Sequence, residues 1–277
     1  MPKIKYPEFY VSHAVTQFPL ECEFPMHIHD NFEILCFVSG NAEYMVEGKI
    51  YALRPGCVMI MKSAETHKLI INTNDPYERY VINFYPEALS ALGIPKSFFS
   101  PFTERNLGEK NLYLPSDFPF VQPEKLFQKM FAEAEGSQSK ERVIANISAL
   151  LSAINVAFEK KESNPTPSED KLSSDEIINY INENLFSDIS LTSISDTLHI
   201  SPSQINRIFR KLTGTSVYNY IVSKRLVVAQ ERIAKGENAT VASQSCGFGD
   251  YSSFYRLYKK HFGTAPTSAK RKIRNVK

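Results

Sequence analysis

The sequence predicts an α+β, multidomain chain: a small N-terminal β-barrel with flanking helices, followed by an all-helical C-terminal domain. Three observations predict it. The hydrophobic period changes from two residues to three or four near residue 123, a polar stretch holding two prolines falls at 161–170, and the charge divides between the two parts. Residues 171–277 carry 16 Lys+Arg against 8 Asp+Glu, net +8, whereas residues 1–170 carry 16 against 22, net −6. With 277 residues the chain exceeds the roughly 250 at which single cores stop growing. The basic part points to a polyanionic partner.

Residues 1–105 are assigned to the barrel. From about residue 5 to 85, short runs rich in Val, Ile, Tyr and Phe are separated by Ser39-Gly40-Asn41, Glu47-Gly48-Lys49 and Arg54-Pro55-Gly56, the spacing of a small barrel or sandwich. Residues 106–160 form a helical dimerisation or packing segment. There Leu126, Met130, Ile144, Ile147, Leu150, Leu151, Ile154 and Phe158 fall at helical intervals broken near Gly136-Ser137, giving two amphipathic helices. Their apolar stripe serves either a homodimer seam or packing onto the barrel. Residues 161–170 read as a linker, and 171–277 as the helical domain. No run approaches the roughly 20 apolar residues of a membrane span. Met1 to Tyr10 lacks the apolar stretch of a secretory signal, so a cytoplasmic location is expected. Cys22, Cys36, Cys57 and Cys246 show no CxxC spacing and read as buried thiols.

The helical domain repeats. At an offset of 49 residues, Ser203 to Lys211 overlie Ser252 to Lys260, and Gly214-Thr215 overlie Gly263-Thr264. In each copy apolar residues take helical spacing (Ile205, Ile208, Phe209, Leu212; Phe254, Leu257, Tyr258, Phe262) and leave Arg and small polar residues on the other face. Ser201-Pro202 and Asp250 mark the starts, and Gly214 and Gly263 the ends. A short helix precedes each, Leu191 to Leu198 and Thr240 to Ser245, making two helix-turn-helix units. Ser216 to Ala234 form a connecting helix of about 29 Å, close to the ~34 Å between successive major grooves on one face of DNA. Ser203, Gln204, Arg207, Ser252, Ser253 and Arg256 are candidate base readers, because Gln pairs with adenine and Arg with guanine in the major groove. Arg210, Lys211, Lys259 and Lys260 are candidate phosphate contacts.

These residues resemble the DNA-binding domain of the AraC/XylS family of bacterial transcription regulators. The match spans about the last 100 residues and is strongest in Ile200-Ser201-Pro202-Ser203, Phe209 to Gly214, and Gly247-Phe248 leading to Phe254 to Pro266. Tyr258, Ala265 and the region of Ala269 depart from the family's usual residues. The barrel adds a second resemblance. His27, His29, Glu33 and Gly40 reproduce H-x-H-x3-E-x6-G, and Gly56 to His67 keep the spacing of a second cupin motif, with Lys62, Ala64 and Ile71 where enzymatic cupins carry Pro, Gly and Asn. The segment therefore looks like a cupin barrel, the sensor domain of many family members.

The resemblance implies a regulator, not an enzyme, that binds promoter DNA as a homodimer, engages RNA polymerase and activates transcription in response to a small-molecule effector such as a carbohydrate. His27, His29, Glu33, Tyr44, Arg54 and His67 are the candidate effector contacts. No cofactor is expected. The alternatives are a metal on His27, His29, Glu33 and His67, and a metal-dependent cupin enzyme with an accessory helical domain.

Overall fold

The computed structural model describes residues 2–20, 23–134, 139–163 and 174–268. Among them, the N-terminal part contains nine strands: β1 (Lys3–Lys5), β2 (Phe9–Thr16), β3 (Phe32–Ser39), β4 (Ala42–Val46), β5 (Lys49–Ala52), β6 (Val58–Met61), β7 (His67–Ile71), β8 (Tyr77–Phe84) and β9 (Leu112–Tyr113). They pair antiparallel in two sheets, ordered β1-β2-β8-β3-β6-β9 and β5-β4-β7. Residue 105 is thus too early an end for the barrel, because β9 closes the larger sheet against β6.

Both faces of the larger sheet are covered at its centre, which is why β3 and β6 are apolar at nearly every position instead of alternating with polar residues. Ile34, Cys36, Val58, Ile60, Tyr80, Ile82 and Phe84 point to one side. Leu35, Phe37, Met59, Met61 and Tyr77 point to the other, where they meet Ala42, Tyr44, Val46 and Leu69 of the smaller sheet and enclose the barrel interior. Short helices α1 (Pro86–Ala91) and α2 (Ser100–Thr103) precede β9, and α3 (Pro123–Ala132) and α4 (Ser139–Ser163) cover the outer side. Val143, Ile147, Leu150, Leu151, Ile154 and Phe158 of α4 are buried there, so its stripe packs onto the barrel, although Val156 stays exposed. The helix continues through 161–163, three residues into the stretch read as linker; 164–170, Cys22 and the break at Gly136-Ser137 lie outside the described residues. Cys36, Cys57 and Cys246 are buried and free.

The C-terminal part has helices α5 (Ser174–Glu183), α6 (Leu191–Leu198), α7 (Pro202–Thr213), α8 (Val217–Ala234), α9 (Ala239–Ser245) and α10 (Tyr251–Phe262). The caps are those the sequence marks: the Ser201 side chain accepts from Gln204 N, Asp250 accepts from Ser253 N, and Gly214 and Gly263 end α7 and α10 at φ 74° and 70°. Helix α8 joins two separate cores. Val217, Tyr220 and Ile221 pack with Ile177, Ile194, Ile205 and Phe209. Leu226, Ala229 and Ile233 pack with Ala242, Cys246, Phe254 and Tyr258. Arg225 stitches the halves: its Nε donates to Leu185 O, and its guanidinium to Gly247 O and Ser187 O, all at 2.7 Å. A Cβ at Gly247, which has φ +80°, would sit 2.9 Å from that guanidinium carbon and 3.0 Å from Phe186 O.

A buried carboxylate sits where the two parts meet, beside a direct hydrogen bond of 2.9 Å between the Thr66 and Tyr220 hydroxyls. Glu47 and Gly48 form the two-residue β4–β5 turn, both with positive φ (50° and 85°), the backbone of a type I′ hairpin turn. Glu47 Oε1 accepts from Thr66 N (2.6 Å) and Thr66 Oγ1 (2.9 Å); Oε2 accepts from Lys224 Nζ (2.6 Å), Asn182 Nδ2 (2.8 Å) and the Tyr220 hydroxyl (3.1 Å). Both ions are buried, Glu47 at 2% exposure and Lys224 at 0%. Lys224 also donates to Asn182 Oδ1 at 2.6 Å, so the charges are hydrogen-bonded as well as paired.

Candidate functional site

Helices α7 and α10 each bury one face and expose the other. Ser203, Gln204, Arg207, Arg210 and Lys211 lie on the outer side of α7, and Ser252, Arg256, Lys259 and Lys260 on that of α10. Ser253 differs from the rest. It is half-buried, its backbone is held by Asp250, and its Oγ accepts from Arg256 Nη2 at 3.3 Å, so it orients the arginine. Tyr255 is also exposed, beside Arg256, and lies at the repeat position of Asn206; its aromatic character hides it among the core residues, while the offset alignment places it on the polar face.

In the barrel, four predicted residues converge. His27 and His67 exchange backbone hydrogen bonds at 3.0 Å in an isolated bridge, which brings the loop before β3 against the start of β7. One donor atom from each of His27, His29, Glu33 and His67 lies within 4.8 Å of the other three. Glu33 and His67 are buried, His29 is half-buried and His27 stands at the exposed rim. Glu33 Oε2 accepts from Asn83 Nδ2 (2.8 Å) and is 3.2 Å from His29 Nε2. Burial alone would raise the Glu33 pKa, but the His29 bond and the neighbouring imidazoles hold it well below the ordinary carboxylate range. Burial pulls against protonation of His29 too, and the Glu33 carboxylate outweighs it, raising that pKa. His67 is pushed well down, first by burial and then by the other two histidines, and is neutral.

The loop between β6 and β7 explains one departure from the second cupin motif, Lys62. Glu65 forms a fully buried pair with Arg105, accepts from Gly108 N (2.8 Å) and Lys62 N (2.8 Å), and so holds His67 in place; Lys62 Nζ reaches Arg105 O at 2.7 Å.

Beside the cluster lies a cavity of about 210 Å³ lined by His27, Glu33 and Tyr44 with Ser12, Tyr77, Arg79 and apolar side chains. Burial, then the Glu33 carboxylate, raises the Tyr44 pKa well above normal, so its hydroxyl stays a donor. Arg54 is corrected: it is exposed in the turn between β5 and β6 and does not line the cavity. The arginine that does is Arg79 on β8, which sequence reasoning missed.

The four converging residues fit a first-row divalent ion. Each imidazole has Nδ1 against a backbone carbonyl: His27 with Pro25 O (3.1 Å), His29 with Asn31 O (2.9 Å) and His67 with Glu65 O (2.9 Å). Such bonds fix the proton on Nδ1 and leave the Nε2 lone pairs of His27 and His67 for a ligand, the usual outer support of metal-binding histidines, whereas His29 Nε2 is turned to Glu33 and would give up its proton to a bound ion. His67 Nε2 is buried with no hydrogen-bond partner among the described residues.

Residues 21–154 match the family model described as an AraC-like ligand binding domain, and residues 194–272 match a helix-turn-helix domain. Among curated relatives, the HTH-type transcriptional activator RhaR of Mannheimia succiniciproducens is 23% identical over 246 residues, 88% of this chain and 86% of that protein. The probable transcriptional regulator LumQ of Photobacterium leiognathi is 24% identical over 243 residues, 87% and 90% of the two chains. Among solved structures, ToxT from Vibrio cholerae O395 covers 96% of this chain and 98% of its own at 12% identity and a TM-score of 0.39.

Proposed function

The chain belongs to the AraC family of transcriptional regulators, carrying the ligand-binding domain and the helix-turn-helix domain in one polypeptide, and from that premise we propose that it activates promoters when a small molecule, such as a sugar, enters the barrel cavity. One observation carries the DNA half of this reading: two capped helices, α7 and α10, present arginines at equivalent repeat positions and are held by a single α8 of 18 residues, ~27 Å long. That length suits neighbouring major grooves, so one chain covers two blocks of bases roughly 10 bp apart. RNA polymerase is the partner of the activation step, a homodimer on paired sites is the working form, and the cytoplasm is the compartment. The cavity serves recognition, not turnover.

Selection of sites from random DNA tests the assignment. Arg207→Ala and Arg256→Ala should each cost about 1 to 3 kcal/mol in DNA affinity and relax the selected sequence in one block only. Recovery of the parental motif in both blocks by both variants would make these arginines phosphate clamps.

A second reading of the barrel is favoured by the three anchored imidazoles and the unpartnered His67 Nε2: His27, His29, Glu33 and His67 would hold a divalent ion, which would supply Lewis acidity to the cavity. Tyr44 then orients the effector from the opposite sheet. Elemental analysis of protein purified without chelator is expected to return about one first-row ion per chain, lost in His29→Ala. Metal-free wild-type protein would leave the four side chains as direct effector contacts.

A further inference from the structure

Arg79 is a half-buried cation in the barrel wall. It makes no ion pair with any described residue, and its Nη1 is buried without a hydrogen-bond partner. Its guanidinium is fixed between two rings, 4.9 Å from the Tyr77 centroid and 5.5 Å from that of Phe24. The Tyr77 hydroxyl is likewise buried and unpartnered, on a side chain only 1% exposed, and it lines the same cavity. Buried polar groups in native proteins are nearly always satisfied, so two orphaned donors in one cavity call for a missing acceptor. Water would satisfy either group singly. A cation sandwiched by aromatics and a phenol beside it together match an anionic oxygen pair.

The strand register sets the backbone of Arg79 apart from that of Glu33, although the Arg79 charge still reaches His27 and Tyr44. Arg79 pairs with Phe37 of β3, whereas Glu33 pairs with Asn83, four residues along. At ~3.3 Å per residue the two backbone positions stand ~13 Å apart. Among the described residues Glu33 is the only carboxylate lining the cavity, and it is engaged by His29 and Asn83, so no carboxylate of the described lining pairs with Arg79. Between the ends lie Leu35, Leu69 and Val81.

We infer that the effector is a small organic carboxylate, its anionic end received by Arg79 and Tyr77, its body against Leu35, Leu69 and Val81, and its far end at the histidine cluster. This rests on the effector reading of the barrel and narrows it from any metabolite, a neutral sugar included, to an acid.

The test uses the full chain and matched pairs of probes: acetate, propionate, benzoate and succinate, each beside its own amide, with glucuronate beside glucose, at constant pH and ionic strength. Thermal shift and calorimetry read binding. At least one acid should stabilise the protein saturably, with its neutral partner about tenfold weaker or worse. Arg79→Met should weaken that acid by about 10- to 100-fold, Arg79→Lys by less, and Tyr77→Phe, which removes only the hydroxyl, by a few-fold. Equal binding of acid and neutral partner, undiminished binding in Arg79→Met, or no saturable response to any acid overturns the proposal. A neutral probe that binds wild type but not Leu69→Trp, which fills the cavity, overturns the charge requirement alone and leaves the effector reading standing.

Discussion

Replacing Lys224 by Ala is expected to lower the stability of the chain by about 3 to 5 kcal/mol, read as a shift of the urea midpoint. The substitution removes the only positive charge that bonds Glu47 among the described residues, and Glu47 is buried at the base of five hydrogen bonds from the loop before β7, α5 and α8. Thr66, Tyr220 and Asn182 still donate to it, but none supplies a countercharge. The pH dependence identifies the cause. Burial would raise the Glu47 pKa, and Lys224 holds it below the ordinary value instead. A depressed folded-state pKa contributes stability that is present above the unfolded value of ~4.3 and lost as pH falls through the folded one. In Lys224→Ala burial dominates, so the sign reverses: the folded pKa lies above the unfolded one, and the variant regains stability as pH falls from 7 towards 5. The gap to wild type should narrow over that range, and Glu47→Gln added to Lys224→Ala should recover part of the loss at pH 7. A cost under about 1 kcal/mol, or a gap independent of pH, contradicts the account.

DNA affinity should fall by about 100-fold or more between ~50 and ~200 mM salt. Arg210, Lys211, Lys259 and Lys260 are exposed near the ends of the two recognition helices. Each phosphate neutralised contributes ~0.9 to the slope of log K against log salt, so these four alone give a slope near about −3.6. Further contacts from a domain with net charge +8 steepen it. Lys259→Ala should reduce the slope by about 0.9 and weaken all sequences alike. A flat response in a fluorescence titration would place the basic face away from DNA.

Much of the C-terminal domain is legible in the sequence because its signals are local. Ser201, Asp250, Gly214 and Gly263 act within one helical turn, and the offset of 49 residues shows that Arg207 and Arg256 occupy equivalent places. The histidine cluster is legible for a related reason: three of its four members fall within seven residues. What was not legible depends on which face of a strand looks inward. In β8 both faces mix apolar and polar residues, Tyr80, Ile82 and Phe84 with Glu78 outward and Tyr77 and Val81 with Arg79 and Asn83 inward, so nothing local tells which face looks into the cavity. Arg54 misleads in the opposite way, being close in sequence to cavity-lining strands but exposed in the turn after β5. The partner of Glu47 is 177 residues away, and no periodicity links them.

Helix α8 also acts as a ruler. Because its first turns belong to one core and its last turns to the other, with no hinge residue between, the phase of α10 relative to α7 is locked to helical geometry. One residue inserted between Val222 and Leu226 would swing the second reading head by ~100° and off the groove, whatever the quality of its side chains. Seven inserted residues, nearly two full turns, would restore the facing within ~20° and lengthen the span by ~10.5 Å, about three base-pair steps. The spacing of the two sequence blocks in a promoter is therefore written in the number of residues in one helix, separately from the sequence that each block carries.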